Sequence, residues 1–156
     1  YYIGLIDQMD SLTQLLDRKS YDMQIASLGR QAVIIVFDVD LFKQINDTYG
    51  HDEGDACLKK ISEVLKLSYG KYGLCYRIGG DEFCVITSRD NFDINAANTQ
   101  FCNNLNAARY NDKNVHIPNV SYGYAAFDPE AGTAEDTIKE ADAMMYKTKK
   151  ERNALR

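Results

Sequence analysis

Residues 73–88 read GLCYRIGGDEFCVITS. Two apolar stretches flank a pair of glycines, and two carboxylates, Asp81 and Glu82, follow the glycines at once. Apolar and β-branched residues on either side of Gly-Gly predict a β-hairpin, with strands over 73–78 and 83–88. Gly79 and Gly80 permit the tight turn and leave no side chain to obstruct a close ligand. Adjacent acids at a hairpin tip have two readings: solvated charges on a surface turn, or part of a metal site. The rest of the chain has to decide between them.

On the N-terminal side, AVIIVFDVD (32–40) is a continuous β-branched and apolar run. It predicts a strand buried on both faces, and it ends in Asp38 and Asp40. LFKQINDTYG (41–50) reads as a short helix stopped by Gly50. DEGDACLKKISEVLKLSYG (52–70) reads as an amphipathic helix with Ala56, Leu58, Ile61, Val64 and Leu65 on one side. Further back, DSLTQLLDRKSYDMQIASLGR predicts a turn over 10–16 and a helix from about 17 to 28, closed by Gly29. YYIGLIDQM (1–9) has helix-like apolar spacing and predicts the end of an upstream linker or signalling helix.

On the C-terminal side the pattern predicts a helix over 92–111 and an alternating strand in NVSYGYAAF (119–127). A capped start follows at Thr133 with Asp136 three residues on, then a last helix, TIKEADAMMYKTKKERN (137–153). Strands and helices in this order predict one α+β domain over 10–156, an α/β sandwich with a mixed sheet and helices packed on it.

The 156 residues suit a single domain with a substantial core. Eighteen basic against 23 acidic residues give a net charge of -5, a poor balance for gripping duplex nucleic acid. An anionic nucleotide remains possible if a metal supplies the positive charge. No apolar run approaches the roughly 20 residues of a membrane span, and no leader pattern is present. The expectation is a cytoplasmic domain without membrane contact. Cys57, Cys75, Cys84 and Cys102 form no CxxC pair and have no histidine at ligand spacing. They are expected as reduced, mostly buried thiols.

The chemistry-bearing residues fall into three groups. Asp38 ends a central strand while Asp81 and Glu82 sit on the hairpin. If those elements are neighbours, three carboxylates meet, and such a group calls for cations between its charges. Mg²⁺ takes few carboxylates plus substrate phosphates, and two such ions activate a hydroxyl and steady a triphosphate. Asp40 has a rival role as a helix N-cap. The second group lies in LFKQINDTYGHDEGD. Lys43 can meet phosphate oxygens as a point charge, beside a helix amino end. Asn46 and Asp55 form a base-reading pair, since a carboxylate takes the two donors of guanine and an amide reads the rest. Adenine cannot satisfy the carboxylate. The plain alternatives are a turn at Asn46, a loop histidine at His51 and an N-cap at Asp55. The third group is KTKKER: either a solvated helix end complementing the dipole, or Lys149 and Arg152 on a terminal phosphate.

Together these segments resemble the GGDEF domain family of diguanylate cyclases. RIGGDEF contains its signature intact. DSLTQLLDR resembles the family's opening motif, FDVDLFKQINDTYGHDEGD its metal and guanine segment, and VSYGYAAF and ADAMMYKTK its late strand and last helix. The resemblance covers nearly the whole chain in order. It implies a fold similar to the nucleotidyl cyclase and polymerase palm, with a ferredoxin-like core and a central mixed, five-stranded-type sheet. It implies condensation of two GTP into cyclic di-GMP with release of pyrophosphate. Carried over, Asp38, Asp81 and Glu82, with the Val39 carbonyl, would bind two Mg²⁺, or Mn²⁺ in their place. Asp81, Glu82 and Lys43 would be the catalytic residues. Lys43, Asn46, His51, Asp55, Lys149 and Arg152 would bind GTP. Each domain would hold one GTP, so two would meet face to face as a transient homodimer. An upstream sensor or dimerisation domain would control them.

The departures carry expectations too. Gly70 and Gly73 stand where many members have an inhibitory product site, Arg-x-x-Asp, so no product inhibition is expected through that site. Gln14 replaces a glycine and Asp17 an asparagine in the opening motif. KKERN is one residue shorter than the family pattern, which leaves the register of Arg152 open. The competing readings are a catalytically silent GTP-binding module and a cyclase that also accepts ATP. Intact Asp38, Lys43, Asn46, Asp55, Asp81 and Glu82 argue against the first, and Asp55 against the second.

Overall fold

In the computed structural model the described residues are 8–88, 90 and 92–154. Most of the anticipated upstream helix (1–7) lies outside them. Gln8 and Met9 are a turn and an isolated bridge to Leu16 rather than a helix. Their backbone neighbourhood is closed by bonds from Asp10 N to Leu15 O (2.7 Å) and from Asp17 N to Gln8 O (2.8 Å). The opening turn forms where the sequence places it, with Gln14 in the left-handed region at φ 63°. Asp10 accepts from the Thr13 N–H and hydroxyl across it.

Helix α1 (Arg18–Ser27) follows, with Asp17 as N-cap accepting from Ser20 N. Strand β1 (Ala32–Val39) leads into α2 (Phe42–Tyr49) and α3 (His51–Tyr69). The hairpin β2 (Gly73–Arg77) and β3 (Glu82–Ser88) comes next, then α4 (Ile94–Asn111), β4 (Val120–Phe127) and α5 (Ala134–Ala154). Helix α5 starts three residues before the anticipated Thr137. The Thr133 hydroxyl accepts from Asp136 N and caps it there.

The sheet corrects one expectation. Among the described residues it has four strands in the order β2-β3-β1-β4, and every neighbouring pair is antiparallel. It is not a mixed, five-stranded-type sheet. The helical crossover from β1 lands β2 one place away, parallel to β1, and the hairpin inserts β3 between them. A parallel contact survives in the bridge between Leu16 and Tyr76.

Strand β1 is covered on both sides, as its unbroken apolar run requires. Ile35, Phe37 and Val39 face a core shared with Leu58, Ile61, Leu65, Phe101 and Leu105 of α3 and α4. Ile34 and Val36 face the second core, with Tyr21 and Ile25 of α1 and Ala141 of α5. Each fully buried aliphatic or aromatic side chain contributes about 2 kcal/mol. Gly123 matters to the site: a Cβ there would overlap the Ala141 carbonyl and the Met145 N–H and stand 3.0 Å from Met145 Cα. Its absence lets α5 lie directly on β4, which carries the end of α5 back over the end of β1. Cys57, Cys75 and Cys84 are buried, Cys102 is exposed, and all four are free thiols.

Candidate active site

The register of the sheet brings the acids to one end. Asp38 lies opposite Glu82 on β3 and Ser121 on β4. The Val39 N–H donates to the Asp81 carbonyl at 3.1 Å, which ties the turn to the end of β1. Ile78 and Gly79 N–H groups both donate to the Glu82 carbonyl. Two guanidinium groups then hold the turn from outside. Arg77 donates to the carbonyls of Gly79 (3.2 Å) and Gly80 (2.9 Å), and its remaining nitrogen meets Asp10 at 3.1 Å. Arg18 donates to the Ile78 carbonyl at 3.0 Å. Sequence reasoning missed this clamp. Its one visible signal is an arginine two residues before the first glycine.

Within this frame Asp38 and Asp81 form a close pair. Burial pushes the Asp81 carboxyl up to about 6, and the neighbouring Asp38 charge pushes in the same direction. Asp38 Oδ2 accepts from Lys149 Nζ at 2.7 Å. Asp38 Oδ1 is buried and has no partner. Burial opposes the charge on Lys149, but its bond to Asp38, with Asp40 and Asp81 nearby, overcomes that and raises its pKa. A half-neutralised carboxylate pair with an orphaned oxygen fits a hard divalent cation, which prefers oxygen ligands. The third acid pairs with Asp38 across the strands, and its charge also pushes the Asp81 carboxyl up. Glu82 is exposed, with its side chain beside Gly79. Among the described residues no three His, Cys, Asp or Glu side chains gather as a metal cluster.

Asp40 is fully buried, and its two oxygens accept from Ser121 (2.6 Å) and Arg152 (2.9 Å). It therefore does not cap α2. The N-cap is Leu41, at φ 58° and without a side-chain bond. Arg152, anticipated on the triphosphate, is turned inward by this buried charge. Lys149, one turn earlier on α5, remains at the mouth of the site.

The second group lies on the α2–α3 elbow, where Gly50 adopts φ 93°. Lys43 and His51 are exposed, and Asn46 is half-buried. Asp55 is exposed in the second turn of α3, which begins at His51 behind Gly50. It is not an N-cap, so its carboxylate is free of that duty. His116 stacks on Tyr49 at 3.7 Å between centroids, and its Nδ1 lies 2.9 Å from Glu53 Oε1. This pair tethers the 112–119 loop to the start of α3. At Gly73 a Cβ would overlap the Ile86 carbonyl and stand 2.8 Å from Thr87 Cα. A side chain there is incompatible with the β2–β3 pairing.

Known proteins resemble this chain in sequence and fold. The family model described as "Diguanylate cyclase, GGDEF domain" matches residues 7–154. Diguanylate cyclase DgcP of Escherichia coli K12 is 31% identical over 150 residues, 90% of this chain and 44% of that protein. The chain therefore spans less than half the length of that relative. Among solved structures, diguanylate cyclase SiaD of Pseudomonas aeruginosa, in complex with its activator SiaC, is 25% identical with a TM-score of 0.81. That likeness covers 96% of this chain and 62% of the other. The GGDEF domain of DgcB from Caulobacter crescentus, in complex with c-di-GMP, is also 25% identical, with a TM-score of 0.76. It covers 92% of this chain and 90% of that domain. No described helix is long and apolar enough to cross a membrane.

Proposed function

The chain belongs to the GGDEF domain family, and on that premise we propose that it is a diguanylate cyclase acting on two GTP. The observation that carries the reading is the Asp38–Asp81 pair, with an orphaned buried oxygen on Asp38 and Lys149 at its mouth. Asp38 and Asp81, with Val39 at the strand end and Glu82 alongside, would hold Mg²⁺. When bound there, such an ion would polarise the α-phosphate and lower the pKa of the attacking hydroxyl.

The remaining work falls to side chains. Asp55 and Asn46 bind the guanine edge, with His51 beside them. Lys43 and Lys149 meet the triphosphate, and Lys149 exchanges Asp38 for a phosphate oxygen as it does so. Asp81 accepts the proton of the 3′-hydroxyl. The O3′–Pα bond forms, the bond from Pα to the bridging oxygen breaks, and pyrophosphate leaves. One domain presents one GTP, so a face-to-face homodimer performs the step twice per product. An upstream domain of a longer protein sets how often two domains meet.

A specific observation favours a second reading, a silent GTP-binding module. Arg152 is committed to Asp40 and leaves Lys149 as the α5 cation nearest the acids. Incubation of concentrated protein with GTP and Mg²⁺, followed by mass spectrometry, separates the two. Cyclic di-GMP is the expected product. Bound but unconverted GTP, with the domain also fused to a dimerising helix, would establish the silent module instead.

A further inference from the structure

The α2–α3 elbow holds a feature that the chemistry above does not use. Asn46 Oδ1 is buried and has no hydrogen-bond partner. It lies against Gly54. A Cβ on Gly54 would overlap this oxygen and stand 2.9 Å from Asn46 Cγ and 3.3 Å from Phe42 Cζ. Gly54 is itself buried inside α3, where glycine costs about 1 kcal/mol relative to alanine. Its backbone does not call for glycine either, since Gly50 is the glycine with positive φ. What Gly54 provides is space, and the Asn46 amide oxygen fills it.

An amide is planar, so lodging its oxygen on one side turns its nitrogen to the other. Of the two polar atoms of this amide, Oδ1 is the one buried without a partner. Leaving a buried carbonyl oxygen unbonded is unfavourable, and such exceptions call for a reason beyond the fold. Orientation supplies such a reason: with Oδ1 seated against Gly54, the N–H donors face away from that seat, on the helix pair that also carries Asp55.

We infer that Gly54 is a positioning residue for base recognition, the seat that aims the Asn46 amide at the purine edge. The inference rests on the guanine-nucleotide reading given above. It makes a prediction that a packing role does not. In Gly54→Ala the new methyl must evict the Asn46 amide. That group is the far end of a flexible side chain, so the helix tolerates the change and alanine favours it.

The test measures equilibrium binding of GTP and of ATP, both with Mg²⁺, to the unaltered chain, Gly54→Ala, Asn46→Ala and the double variant, with a melting temperature for each. The unaltered chain is expected to prefer GTP. Gly54→Ala should lose about tenfold in GTP affinity, the scale of one hydrogen bond, with ATP affinity and melting temperature held. Asn46→Ala should match it, and the double variant should lose nothing more, because both act through one group. An equal fall for GTP and ATP, an unchanged preference in Gly54→Ala, or additive losses in the double variant would overturn the inference. If Gly54→Ala fails to fold, the double variant removes the colliding amide and should recover the fold; failure to recover also overturns it. A lack of preference in the unaltered chain would instead remove the guanine reading, before any variant is compared.

Discussion

The hairpin end of the sheet and the α2–α3 elbow divide the proposed site between them, and they are held in different ways. At the hairpin end the turn closes on itself locally, but the contacts that fix the acids in place are long-range. Arg77 reaches Asp10 across 67 residues, Lys149 reaches Asp38 across 111, and Arg152 reaches Asp40 across 112. At the elbow the supports beside Asn46 and Asp55 are local, a left-handed Gly50 and a seat at Gly54, and His116 on Tyr49 and Glu53 adds a long-range tie. The contrast suits the two tasks. Like charges must be forced together from outside, since they repel. In the proposed function a base-reading amide and carboxylate need only be aimed, and one helix pair carries both.

Substitutions should expose this division, and the largest effect belongs to the hairpin. Asp81→Ala is expected to lower cyclic di-GMP formation by at least about 100-fold, measured by product chromatography, while circular dichroism shows the fold retained. Its effect on stability has a definite sign. A carboxyl whose folded value sits near 6, above its ordinary 3.8, destabilises the fold once ionised. In EDTA, Asp81→Asn should therefore be more stable than the unaltered chain above pH 6, by about 1 kcal/mol after allowance for solvent screening. The gain should shrink as pH falls from 6 and vanish below about 4. A stability loss at pH 7.5 would break the comparison, because it would make Asp81 a structural residue.

At the elbow the order of effects reverses. Asp55→Ser should reduce the GTP preference over ATP by about tenfold or more and leave the melting temperature unchanged, since the side chain is exposed and caps nothing. An unchanged nucleotide preference would remove Asp55 from base recognition.

Arg152→Ala sharpens the comparison from the other side. It strips the partner from a fully buried Asp40 and should cost about 2 kcal/mol in chemical denaturation, below the usual loss for a broken buried pair because Arg152 is partly exposed. Turnover per folded molecule should change far less than in Asp81→Ala. The smallest effect is expected at Gln14, held at φ 63°. Gln14→Gly should stabilise by about 0.5 kcal/mol, the relief of the left-handed strain less the flexibility glycine adds to the unfolded chain.

The same division explains what could be read before the structure was known. The hairpin, the two-faced burial of β1 and the Thr133 cap follow from local patterns, and the structure has all three. The candidate acids were legible because carboxylates at the end of an apolar strand and on a glycine turn are unusual on their own. Three features were not legible. The antiparallel sheet depends on β3 inserting between β1 and β2, which no local pattern encodes. The inward turn of Arg152 depends on Asp40, 112 residues away. The exposure of Glu82 next to half-buried Asp81 depends on how the strand end packs, where adjacent acids look alike in sequence. Left-handed Gln14 and Leu41 also run against their residue preferences, so only tertiary contacts could place them.

The most direct test of the acid pair as a cation and triphosphate site is a calorimetric titration of GTP into the chain, in Mg²⁺ and again in EDTA. It does not require two domains to meet. If Asp38 and Asp81 hold GTP through a divalent ion, affinity should fall at least about tenfold in EDTA, and Asp81→Ala should show little of that difference. Equal affinity with and without the ion would contradict the assignment and return the two acids to the surface-turn reading.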